Sequence, residues 1–166
     1  MPERETIKRA RKDKREGKSA STRAGEFVRE EIHHVREGKH GARSAKQAIA
    51  IGLSKARRAG VRLPAPKKGE APARVRKAAK KDLAQGRKRS PKRPSPARSK
   101  AMTRRLRREG RQAASKTALS RHAHAAARQR TRKERSASAR KAARTKGAAG
   151  RREAARKAAR TRARSR

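Results

Sequence analysis

Large apolar side chains cluster in the first third of the chain, and there they recur at helical spacing. Ala24, Val28, Ile32 and Val35 follow at steps of four, four and three, with Phe27 beside them, which predicts an amphipathic helix. Thr22 or Ser21 supplies its N-cap; Glu26, Glu30 and Glu31 suit its positive end, and Gly38 its C-cap. After a short loop at residues 39–43, Ser44 and Gln47 have the spacing of a capping box. A second helix is predicted from Ala45 to Ala59, ended by Gly60 and kept from extending by Pro64. Ala45, Ile49, Gly52, Leu53 and Ala56 share one of its faces. Gly52 costs that helix about 1 kcal/mol relative to Ala, and its place on the apolar face predicts close approach of the first helix. Ile51 falls off this stripe, facing a second subunit, the segment at 61–63, or solvent. The two helices form an antiparallel hairpin over residues 21–63, expected to be marginal alone and to gain stability from a partner.

The flanks look different. Residues 1–20 mix both signs of charge and carry one large apolar residue after Met1, Ile7, so a flexible segment is expected. Pro64, Pro66, Gly69 and Pro72 read as a linker. Val75, Ala79 and Leu83 are spaced for a short helix, GRKRSPKRPSP at 86–96 breaks it, and Met102, Leu106 and Leu119 are isolated apolar anchors further on. ARKAART occurs at 139–145 and again at 155–161. Alanine and arginine favour helix, but crowded like charges at i,i+4 oppose it until phosphates neutralise them. The fold class expected is therefore a mostly disordered polycation with a small α-helical hairpin near the N-terminus. Residues 64–166 form its low-complexity basic tail, whose Ala/Arg-rich segments are helical only conditionally.

Charge decides the partner class. The 166 residues carry a formal net charge of +43, with 39 Lys or Arg against 5 Asp or Glu from residue 61 onward. A chain of this kind should condense onto a polyanion. With no cysteine and one aromatic residue, Phe27, zinc fingers and base-stacking platforms are excluded, and no zipper or homeodomain pattern is present. Sequence-tolerant DNA binding by phosphate neutralisation and bridging is the expected function, with DNA preferred over RNA at low discrimination. An RNA- or ribosome-associated protein and a protein-binding adaptor with a polycationic tether are the alternatives. Partners beyond nucleic acid reduce to a homodimer through the hairpin; no membrane, small-molecule substrate or cofactor is implied. A location in the cytoplasm and nucleoid follows, since no apolar run suits a membrane span or a signal peptide.

The cations expected to carry the binding are Arg57 and Arg58 at the end of the hairpin and Arg74, Arg76, Lys77, Lys80 and Lys81 in the short helix. To these are added Arg87, Lys88, Arg89, Lys92 and Arg93 around the breakpoint, and Arg140, Lys141, Arg144, Arg156, Lys157 and Arg160 in the repeats. Ser90-Pro91-Lys92-Arg93 resembles the S-P-K-K element of linker-histone tails; its cations either follow the minor groove or serve as ordinary linker cations. His33, His34 and His40 invite a metal, but His33 and His34 are adjacent on a helix and diverge by about 100 degrees, and no cysteine completes a set, so no metal site is expected. Serines without a core to hold a histidine beside them make no catalytic set, and no enzyme activity is expected.

The string SAKQAIAIGLSKARRAGVRL at 44–63, preceded by HHVREGKHG at 33–41, resembles a bacterial family grouped as domain of unknown function 6496. Gln47, Ala48, Ile49, Ala50, Ile51, Gly52, Leu53 and Ser54 carry the likeness, with Lys39, His40 and Gly41 in the loop. It covers roughly residues 22–63 and implies a bacterial source without lending a function. The remainder resembles histone-H1-like bacterial proteins in composition.

Overall fold

Ser44 opens the helix that the pattern marks most strongly. Its Oγ accepts from the Gln47 amide at 3.2 Å, and Gln47 Oε1 accepts from the Arg43 amide at 2.8 Å, so two amides at the helix start are satisfied. The computed structural model describes residues 2–88 and 95–164. Among these are seven α-helices: α1 (Arg4–Arg15), α2 (Ala20–Arg36), α3 (Ala45–Arg58), α4 (Ala73–Arg87), α5 (Pro96–Arg107), α6 (Lys116–Arg128) and α7 (Arg132–Arg164), with a 3-10 turn at Gln112–Ala114. The contacts separate two units, Met1–His122 and Ala123–Arg166.

The expected mostly disordered polycation is overturned. In the first unit α2 and α3 pack antiparallel, Val35 near Ala48 at one end and Phe27 near Ala56 at the other. Helices from the same chain pack on both sides of this hairpin. The segment expected to be flexible is α1, which buries Thr6, Ala10 and Asp13 and packs on α2. On the other side α4 packs along α3, burying Ala79, and Ala113 and Ala114 close the end of the hairpin beside Ile32 and Val35. The physical reason lies in side-chain size. Of the thirteen buried apolar residues among those described, nine are alanines, so helices approach closely around a core that a search for Leu, Ile and Phe does not count.

Two further expectations change in detail. The N-cap of α2 is Ser19, whose Oγ accepts from the Thr22 amide at 3.2 Å, rather than Ser21 or Thr22. On α3 the buried positions are Ala45, Ala48, Gly52, Ala56 and Arg57, while Leu53 and Ile49 are only half-buried. Gly38 has φ +76°; its amide bonds the Val35 carbonyl and the Lys39 amide the His34 carbonyl, a Schellman end that turns the chain sharply back.

In the second unit α7 is exposed along its length. Thr131 and Glu134 form a reciprocal capping box at its start: the Glu134 amide donates to Thr131 Oγ1 at 3.2 Å and the Thr131 amide to Glu134 Oε2 at 2.8 Å. The two ARKAART copies repeat one local contact, Thr145 to the Lys141 carbonyl and Thr161 to the Lys157 carbonyl. Helix here follows local propensity, as Ala, Arg and Lys are the strongest formers. The helix is kinked at Gly147, where φ is +63°.

Candidate nucleic-acid interface

Four helices of the first unit bring cations to one cavity of about 840 Å³. Lys14 comes from the end of α1, Arg23 from the start of α2, Arg57 from the end of α3, Arg62 from the turn after it and Arg87 from the end of α4. Three of these lie in last turns, where basic side chains complement the negative helix end. Lys14, Arg23, Arg62 and Arg87 form no ion pair among the described residues, and Arg23 Nε is buried without a hydrogen-bond partner. No acid lines the cavity among the described residues. A guanidinium with an unused buried donor, in a groove of like charge, is suited to an anionic oxygen.

Arg57 has another role. It is buried, and its Nε and Nη2 donate to the Leu63 and Pro64 carbonyls at 3.2 Å each, so it holds the turn that shapes the cavity. Burial pulls its guanidinium below the ordinary value, with Asp82 opposing. Arg58 is exposed and tied to α4: its Nε stands 3.4 Å from Asp82 Oδ1 and its Nη2 3.0 Å from Ser54 Oγ, which donates to Asp82 Oδ2 at 2.5 Å.

The other expected binding residues divide by place. Arg74, Lys77, Lys80, Lys81, Arg87 and Lys88 are exposed on or just after α4, and Arg76 is half-buried there with Nε lacking a hydrogen bond. Arg140, Lys141, Arg144, Arg156, Lys157 and Arg160 are exposed on α7. Arg89, Lys92 and Arg93, with the SPKR element, lie outside the described residues. Lys14, Arg23 and Arg62 were missed from sequence. Lys14 sits in mixed-charge sequence beside Asp13 and Glu16, and only packing shows which cations are left over.

The acids are gathered elsewhere, around the middle of α2. Glu30 and Glu31 are buried, with Lys55 Nζ 3.2 Å from Glu30 Oε1 and 2.6 Å from Glu31 Oε2. Burial raises the Glu30 carboxyl, but the Thr6 hydroxyl, the Glu3 amide and Lys55 outweigh it and hold it below the ordinary value. Glu3 is likewise lowered, by its hydrogen bonds to His34 and Lys39. The histidines treated in sequence as diverging neighbours are sorted by the fold: His33 is exposed, while His34 and His40 face each other edge-on at 6.2 Å with Glu31 beside them.

The fold and the groove define a small, all-helical, strongly basic protein. Residues 11–68, from α1 through α3 to the turn before α4, match the model of a family of unknown function, DUF6496. The resemblance read on residues 22–63 therefore holds and extends at both ends; this segment contributes Lys14, Arg23, Arg57 and Arg62 to the groove. Neither a curated protein nor a solved structure matches the chain. No helix among the described residues is long and apolar enough to cross a membrane.

Proposed function

We propose that this chain binds DNA through the phosphate backbone with little regard to sequence, as a nucleoid-associated protein that neutralises and bridges duplexes. The observation that carries the reading is the large surplus of cations over acids. Residues 123–166 hold seventeen Lys or Arg against two Glu, and every described one is exposed. The cations of α7 are exposed along the helix, an arrangement that serves two duplexes as readily as one. The groove of the first unit adds Lys14, Arg23 and Arg87 near helix ends and Arg62 in the turn after α3. Phosphate contacts of this kind position a protein without reading bases, which makes discrimination between DNA and RNA small.

The test is affinity against salt for the full chain on duplex DNA of unrelated sequences. Each neutralised phosphate adds about 0.9 to the slope of log affinity against log salt. A slope above about 6, similar on every sequence, is expected. A salt-insensitive affinity, or one confined to a single sequence, overturns the reading, and crosslinking in cells that recovers mainly ribosomal RNA overturns the nucleoid assignment.

A further inference from the structure

We propose that Glu31, His34 and His40 form a binding site for a borderline divalent metal ion of the zinc, cobalt or nickel class. One donor atom from each of the three lies within 4.8 Å of the other two. The carboxylate is supplied by the middle of α2, one imidazole by the next turn of the same helix, and the other by the loop that the Gly38 turn folds back over it. A carboxylate with two imidazoles suits these metals and is a poor match to magnesium or calcium, which prefer oxygen ligands throughout.

The hydrogen bonding of His40 points to a cation at this place. Its Nδ1 lies 3.1 Å from the Gly41 carbonyl oxygen, which can only accept, so Nδ1 carries a proton. In the neutral ring Nε2 then offers a lone pair, and it stands 3.2 Å from Glu31 Oε1. Two acceptors face each other unless something positive lies between them. The contact lacks hydrogen-bond direction: both Glu31 oxygens are fully buried and make no hydrogen bond. A shared metal accounts for the spacing, since ligands at about 2.0–2.2 Å in tetrahedral array stand about 3.4 Å apart. The second oxygen is balanced by Lys55, at 2.6 Å but also off hydrogen-bond direction.

The surroundings suit such a site. Glu3 Oε1, 2.8 Å from His34 Nε2, orients that ring as carboxylates orient metal-binding imidazoles. His34 and His40 keep 12% and 15% of their side-chain surface exposed, so an ion can enter from solvent and retain water in a fourth position. The loop is itself anchored, because the Gly41 amide donates to the Leu106 carbonyl at 2.9 Å and the Ala42 amide to that of Gly110 at 3.1 Å. A metal here ties α2 to the 106–110 segment through one loop, and its role is structural.

The experiment is calorimetric titration of Zn²⁺ into the full-length protein, stripped of nucleic acid and metal, with thermal melting in parallel. One equivalent of Zn²⁺ is expected to bind and raise the melting temperature, as any ligand of the folded state does. His34→Gln and His40→Gln are each expected to weaken binding by about tenfold or more and to abolish the shift, while His33→Gln, at an exposed neighbour, leaves both unchanged. Co²⁺ should give an intense visible absorption that His40→Gln removes. No saturable binding, or equal binding by wild type and His34→Gln, overturns the proposal. So does a melting temperature that follows pH across the histidine range but ignores Zn²⁺, which assigns the place between His40 and Glu31 to a proton.

Discussion

Gly52 of α3 lies against the backbone of Val28 in α2: a Cβ built on Gly52 stands 2.6 Å from the Val28 Cα and 2.9 Å from its amide nitrogen. Backbone cannot yield as a flexible side chain does, so Gly52→Ala must push the two helices apart. Alanine recovers about 1 kcal/mol of helix propensity, but separating a close-packed pair costs about 1–3 kcal/mol and opens the alanine core around it. The expected outcome is a lower melting temperature by circular dichroism despite the better helix former. An unchanged or higher value would show that the helices do not meet at this point.

Among the described residues Lys55 is the one lysine within ion-pair distance of both buried carboxylates of α2. Lys55→Met leaves Glu30 and Glu31 in the interior without it, a change that costs about 3–5 kcal/mol for a buried pair. In a protein of this size that is a large share of the total stability. Denaturant unfolding should show the loss, and adding Glu31→Gln to Lys55→Met should restore part of it, because the unmatched charge is then gone.

Acid should loosen the first unit in a defined direction. The Glu30 carboxyl is held below its ordinary value of 4.5, so the folded state binds its proton less readily than the unfolded chain. Its contribution is present above that ordinary value and is lost as pH falls through the lower folded value. Melting temperature should therefore decline as pH drops below about 4.5, and Glu30→Gln should flatten that part of the profile. A wild-type profile that stays level into strong acid contradicts the assignment.

Groove and helix cations can be told apart on DNA. Arg23→Gln with Arg62→Gln should reduce the salt slope by about 2 if both meet phosphate, without altering the melting temperature, since neither side chain forms an ion pair in the fold. Arg156→Gln with Arg160→Gln should reduce it by a similar amount and also weaken bridging of two duplexes in a sedimentation assay. A groove variant with the wild-type slope would confine binding to the exposed helices.

Sequence alone determined the local features. The Ser44 cap with Gln47 and the end at Gly38 rest on residues a few positions apart, where chemistry and spacing suffice, and the place of Gly52 on the apolar stripe and the family likeness were read along the chain without the fold. The cation excess was equally legible, because charge needs no fold to be counted. The Thr131–Glu134 box is equally local, with cap and acid three residues apart.

Tertiary structure decided the rest. A core in which nine of the thirteen buried apolar residues among those described are alanines depends on helices approaching closely, and an alanine in sequence does not reveal whether it faces a neighbour or water. Burial of Ala79, Ala113 and Ala114 is thus a property of contacts with distant segments, and it turned the expected tail into part of the first unit. The same holds for chemistry. His34 and His40 diverge from His33 or stand six residues apart along the chain, and only the turn at Gly38 brings both beside Glu31. Lys14, Arg23, Arg62 and Arg87 are spread over more than seventy residues, and they meet because α1, α2, α3 and α4 end around one cavity.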